Sequence, residues 1–164
     1  MLIFPIFAQM RRIIFVCHGN ICRSPMAEWI FKDMAGKVGL GREFEVSSAA
    51  VSYEEQGNPM YTPAARKLRE KGIPFGEHHA HRITAAEYAK SDIVVLMDGS
   101  NRRLLERIVP ESRFDGKVQD MLEGREVADP WYTGDFEKAY RDIAEGCRRL
   151  LEKQPISTPH SGKA

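Results

Sequence analysis

Residues 13–26 read Ile13-Ile14-Phe15-Val16-Cys17-His18-Gly19-Asn20-Ile21-Cys22-Arg23-Ser24-Pro25-Met26. The apolar run before Cys17 predicts a strand covered on both faces, because no polar residue alternates within it. A short polar loop follows, and Ser24-Pro25 predicts a helix start. A Ser oxygen accepts from an orphan first-turn N–H, and Pro at the first helical position gives up a donor that has no partner there. Cys17 then falls where a strand ends and Arg23 where a helix begins. Gly19 and Asn20 supply the two residue types best able to take left-handed backbone angles in the turn.

A strand-to-helix turn aims several backbone N–H groups and the positive end of the helix dipole at one point, which makes an anion site. Such a field also favours the thiolate form of a cysteine placed in it. Arg23 lies six residues after Cys17, so its planar fork can close over an oxyanion held above the sulfur. Nucleophile, anion cradle and charge clamp in one short loop suit attack on a phosphate ester. The competing reading is an inert core Cys beside a surface Arg. The strand before the pair, the Gly-Asn inside it and the Ser-Pro after it favour the reactive one.

With 164 residues and 43% hydrophobic content, the chain has the size and composition of one globular domain with one core. A net charge of +1, from 24 basic and 23 acidic side chains, argues against a nucleic-acid partner or a polybasic membrane role. Three irregularly spaced cysteines do not make a secreted disulfide framework, so a reducing, cytoplasmic compartment is expected. Residues 1–10 are apolar, but Arg11 and Arg12 follow the apolar run instead of preceding it, and Pro5 interrupts it. The run is too short for a span and lacks the basic lead of an export signal, so residues 1–10 read as an extension, with Met10 an alternative start and a clipped export signal the lesser reading.

Outward from the loop, Ala27, Ile30, Phe31, Met34, Ala35 and Val38 predict a helix over 25–37, ended by Gly39 or Gly41. Residues 44–49 predict a second strand, 50–61 a loop with Gly57, Asn58 and Pro59, and 62–71 a helix stopped by Gly72 and Pro74. Residues 73–84 read as irregular, with a helical turn at 85–90 and a clear strand at 92–97. Asp98-Gly99-Ser100-Asn101 caps a helix bearing Leu104, Leu105 and Ile108, and 118–122 is a weaker strand. The final helix, over 135–151, carries Phe136, Ala139, Tyr140, Ile143, Ala144, Cys147, Leu150 and Leu151 on one face. This alternation implies a three-layer α/β fold, a central four-stranded, mainly parallel twisted sheet with helices on both faces. The site then lies outside the carboxyl ends of the strands. Residues 11–152 form the domain and 153–164 a flexible polar tail.

On residues 16–25 and on Asp129-Pro130-Trp131-Tyr132, the chain resembles the low-molecular-weight protein tyrosine phosphatases, the first segment as their phosphate-binding loop and the second as their general-acid loop. Ser48-Ala49-Ala50 and Met97-Asp98 with Ser100-Asn101 resemble further family segments, so the likeness covers about 12–151. The resemblance implies a metal-independent hydrolase without cofactor. Cys17 would form a phosphocysteine intermediate while Arg23 and the loop N–H groups hold the phosphoryl oxygens, and Asp129 would act as general acid and then base. His18, Gly19, Ile21 and Cys22 would complete the loop, with His18 on its rim. Ser24 would hydrogen-bond the sulfur, a role that capping alone does not distinguish, and Asn20, His78 and Asp98 would support the loop. His81 stands where the family pattern places an Arg, with Arg82 adjacent.

Tyr53, Trp131 and Tyr132 would wall a cleft deep enough for phosphotyrosine, although aromatic residues are as often core. Tyr132 is also a candidate phosphorylation target. Cys22 is a candidate redox partner of Cys17, and Cys147 reads as inert core. His78, His79 and His81 invite a zinc reading, against which stand the lack of partner cysteines and a chemistry with no use for zinc. No metal is expected. The expected partners are a phosphotyrosine protein as substrate and inorganic phosphate as product and inhibitor, with the chain a monomer. Within the same fold, a protein arginine phosphatase is the alternative, and Ile21, where that relative has Thr, leans away from it. An arsenate reductase lacks its cysteine relay here, and a silent phosphate-binding module would not need Cys17, Arg23 and Asp129 together.

Overall fold

The computed structural model describes residues 10–155. Residues 1–9 of the extension read over 1–10, and residues 156–164 of the expected tail, lie outside the described residues. Strands β1 (Arg11–Cys17), β2 (Phe44–Ala50), β3 (Ile93–Leu96) and β4 (Val118–Asp120) form one parallel sheet in the order β2-β1-β3-β4. In register, Cys17 lies opposite Ala50 of β2, and Val16 opposite Leu96 of β3. Cys17 therefore ends the inner strand at the carboxyl edge.

Successive side chains of a strand point to opposite faces, and both faces here are dry. Ile13, Phe15, Val95 and Met97 pack against α1 (Arg23–Lys37), α2 (Thr62–Glu70) and α6 (Phe136–Glu152), through residues such as Phe31, Leu68 and Ile143. Ile14, Val16, Val94 and Leu96 pack on the other face against Tyr88 of α3 (Ala85–Lys90) and Leu105 of α4 (Gly99–Ile108). The chain is thus a three-layer α/β fold, as its alternation of strands and helices predicts. No helix among the described residues is long and apolar enough to cross a membrane.

The departures from expectation gather near the loops. Helix α1 starts at Arg23 with Cys22 as its N-cap and no side-chain cap, so Ser24 does not cap it. Strand β4 stops at Asp120 because Met121 and Leu122 turn into the core that α6 covers. There α6 crosses at backbone contact: a Cβ on Gly146 would lie 2.6 Å from the Met121 carbonyl oxygen. That close approach fixes the start of the segment leading to Asp129. Helix α5 (Pro130–Thr133) is a single turn, too short to show a period, and 3-10 turns stand at Gly41–Glu43 and Pro110–Phe114. Lys153 and Gln154, expected in the tail, are instead tied to α6: the Lys153 N–H bonds the Arg149 carbonyl and Gln154 is buried over Leu150. Cys147 is buried against the Ala27 carbonyl, and burial pushes its thiol pKa up.

Candidate active site

The loop between β1 and α1 closes around one sulfur. The N–H groups of Asn20 and Ser24 point at Cys17 Sγ at 3.3 and 3.4 Å, and Ser24 Oγ lies 3.1 Å from it. Ser24 Oγ already accepts from Asn20 Nδ2 at 2.7 Å. Its own proton is therefore free to turn to the sulfur or to the Ala49 carbonyl, 3.4 Å away. The hydroxyl serves the sulfur and not the helix end.

Asn20 makes that geometry possible. It is the non-glycine residue with positive φ, 62°, among those described, and it is 0% exposed. Its Nδ2 donates to Ser24 Oγ and to Ser48 Oγ at 3.0 Å, and its Oδ1 accepts from the His81 N–H at 3.1 Å. His78 Nε2 lies 2.6 Å from the Asn20 carbonyl, and Ser48 Oγ donates to Glu28 Oε1. A side chain satisfied on both ends holds a strained backbone in place. Among the described residues, nothing accepts the N–H groups of Gly19, Ile21, Cys22 and Arg23. These free donors at the start of α1 are placed where an anion could be held.

Arg23 is buried, and one edge of its guanidinium is committed. Nη1 donates to Asp98 Oδ2 at 2.7 Å and to the Val127 carbonyl at 2.8 Å. Asp98 meanwhile caps α4 through its other oxygen, which accepts from the Asn101 N–H. Nη2 faces Asp129 Oδ2 at 3.3 Å. Burial opposes the Arg23 charge, but Cys17, Asp129 and Asp98 outweigh it and hold its pKa above an arginine's ordinary value. Asp129 Oδ1 accepts from the Trp131 N–H, which aims Oδ2 inward.

Cys17, His18, Gly19, Ile21, Cys22, Arg23, Asp129, Trp131 and Tyr132 line one cavity of about 120 Å³, together with Glu54 and Glu55. Tyr53 is not among them. It is 65% exposed and turned to Arg82, whose Nη1 donates to its hydroxyl at 2.7 Å. The aromatic wall expected there is replaced by two carboxylates. Trp131 instead packs at a tilt against Tyr61, ring centroids 4.8 Å apart, a support that sequence reasoning missed because a Tyr before a helix carries no special signal. His18 stands on the rim, 3.0 Å from Glu54 Oε2. Burial above all pushes the Cys22 thiol up, which keeps it protonated beside Cys17.

The three histidines diverge. His78 goes to the Asn20 carbonyl, His79 to Glu77 and His81 to Glu87. Among the described residues no group of three or more His, Cys, Asp or Glu is placed to hold a metal. His81 serves the loop through its backbone N–H, so the Arg that the family pattern places here is not needed for that contact.

Cys17, Arg23 and Asp129 thus meet in one cavity at the carboxyl edge of a parallel sheet. A family model for the low molecular weight phosphotyrosine protein phosphatases matches residues 12–157, and the chain belongs to that family. It is similar to the low molecular weight protein-tyrosine-phosphatase YfkJ of Bacillus subtilis, 35% identical over 144 residues, which cover 85% of this chain and 92% of that one. The human low molecular weight phosphotyrosine protein phosphatase is 34% identical over 151 residues, 87% and 95% of the two chains. The crystal structure of YfkJ superposes with a TM-score of 0.83 at 34% identity, covering 90% of this chain and 99% of that one. A Drosophila arginine phosphatase superposes with a TM-score of 0.76 at 29% identity, over 88% and 98%.

Proposed function

We propose that the chain hydrolyses phosphotyrosine through a phosphocysteine intermediate on Cys17, without a metal. The observation that carries this is the set of donors converging on one cavity floor: two N–H groups on Cys17 Sγ and free loop N–H groups around it. Cys17 Sγ attacks phosphorus as the bond to the tyrosyl oxygen breaks. The cradle and Arg23 Nη2 hold the equatorial oxygens in the transition state, where such donors act most strongly. Nη1 keeps its hold on Asp98 and Val127, so the arm that meets phosphate is braced from behind.

Asp129, protonated, gives its proton to the departing phenolate, whose conjugate acid has a pKa of about 10. The same carboxylate then takes a proton from the water that attacks the phosphocysteine, and inorganic phosphate leaves. Ser24 supports the second step, since its free proton can turn to the thiolate as sulfur departs.

The test is release of para-nitrophenol from para-nitrophenyl phosphate in excess chelator by the protein and by Cys17→Ser. Cys17-dependent release is expected, and its absence overturns the proposal. Phosphotyrosine and phosphoarginine peptides assayed side by side then fix the substrate, with phosphotyrosine expected to turn over faster.

A further inference from the structure

The cavity lining draws on two unlike sets of side chains: Trp131 and Tyr132 from the segment after Asp129, and His18 with Glu54 and Glu55 from the loops after β1 and β2. Glu54 touches His18 through Oε2, with its side chain 68% exposed, so its charge stays at the surface. Glu55 lies closer in, its Cγ only 3.3 Å from where a Cβ on Gly19 would stand, and its Oε1 accepts from Asn58. Tyr53, which would have covered this side with an aromatic ring, is held away from it by Arg82.

The charges of the lining are unbalanced toward the mouth. Arg23 sits at the floor and is neutralised from behind by Asp98, leaving a bound phosphate to the loop N–H groups and Nη2. Nearer the surface, Glu54 and Glu55 are accompanied by a single histidine, His18, while Asp129 is paired with Arg23. When a phosphotyrosyl ring enters beside Trp131, the residues on either side of it in the peptide pass at the level of the two glutamates. Like charge there is repelled and opposite charge attracted, and such complementarity acts chiefly on specificity and encounter rate.

We propose that Glu54 and Glu55 are specificity-determining residues that select phosphotyrosine segments carrying Lys or Arg next to the phosphorylated residue and reject acidic ones. This rests on the phosphotyrosine hydrolysis proposed above. The experiment compares kcat/KM for two phosphotyrosine peptides that differ only in flanking Lys or flanking Glu, with para-nitrophenyl phosphate, which has no flanks, as reference. The unaltered protein favours the Lys peptide by about tenfold at low salt, a ratio built from a few exposed charge pairs. At about 0.5 M NaCl the ratio falls toward one, as screening requires.

The Glu54→Gln, Glu55→Gln double variant loses the preference at low salt, and Glu54→Lys, Glu55→Lys inverts it. A ratio near one in the unaltered protein that still hydrolyses para-nitrophenyl phosphate overturns this inference alone. A preference that persists unchanged in the double Gln variant also overturns it. Failure to hydrolyse para-nitrophenyl phosphate removes the phosphatase reading and the inference with it.

Discussion

The two loops that meet at the cavity are held in opposite ways. The loop from Cys17 to Ser24 is sunk between β1, β2 and α1, and its form comes from hydrogen bonds to its own buried side chains, chiefly Asn20 and Ser24. The segment from Val127 to Tyr132 is only anchored in part, Val127 and Pro130 being buried while Trp131 is 49% and Tyr132 81% exposed. Its main ties inward are the Val127 N–H to the Met97 carbonyl and the contacts of Val127 and Asp129 with Arg23. On the proposed mechanism the first loop stays fixed while charge develops, and the second presents the proton donor and a pocket wall at the edge. Arg23 joins them, since it begins the helix of one and holds the backbone of the other.

Perturbing the fixed loop at its centre has the largest expected effect. Cys17→Ser lowers turnover of para-nitrophenyl phosphate by ~10⁴-fold or more, because loss of a nucleophile removes the covalent route. Its circular dichroism and melting temperature stay close to those of the parent. Asp129→Asn comes next, with a loss of about 10²–10⁴-fold for poor leaving groups, the range that general acid catalysis supplies. That loss shrinks as the leaving phenol becomes more acidic. A leaving-group series in which every ester slows equally would contradict the division of labour between the two loops.

Asn20→Ala asks whether the first loop is as rigid as its bonds suggest. The variant leaves Ser24, Ser48 and the His81 N–H without their shared partner and puts an alanine at φ 62°. Strain and lost buried hydrogen bonds each weigh on the order of 1–3 kcal/mol. Chemical denaturation is expected to show destabilisation of that size, and kcat is expected to fall about tenfold or more through the misplaced donors. Mild peroxide probes the same loop by chemistry. Cys17 oxidised to its sulfenic acid condenses with the Cys22 thiol, losing water, to give a reversible disulfide. Mass spectrometry of peptides cut between the two is the readout, and persistence of unlinked, over-oxidised Cys17 would remove Cys22 from that role.

Much of this arrangement is legible in the sequence, for a physical reason. Cys17, Arg23 and Asp129 carry chemistry in their type and sit at element boundaries that Gly, Pro and apolar runs mark out. Ser24 shows where such reading stops: its type fits a cap, but the buried sulfur beside it needs the hydroxyl more than the helix end does. Tyr53 shows another limit, since an aromatic type does not say which way a loop residue faces, and Arg82 decides it 29 residues away. Glu54 and Glu55 gave no signal, because paired glutamates in a loop are what an ordinary solvated surface contains. The Val127 carbonyl was invisible for a simpler reason, being backbone.

The smallest expected effect concerns the support behind the fixed loop. His78 holds the Asn20 carbonyl, and burial, only partly offset by that hydrogen bond, lowers its pKa below the ordinary 6.5. The neutral ring is therefore the folded form, with Nε2–H donating to the carbonyl. A histidine with a depressed folded pKa favours folding fully above 6.5, where both states are neutral. As pH falls below 6.5 the unfolded chain takes up the proton first, so stability declines until the folded pKa is passed and then levels off. Melting temperatures followed from pH 7.5 to 5 are expected to fall more steeply for the parent than for His78→Gln, which does not titrate there but can still donate. The loss of kcat in His78→Gln is expected to be less than in Asn20→Ala, since the ring acts on the loop through one carbonyl. Equal pH slopes in the two proteins would mean that the loop is held without help from the charge state of His78.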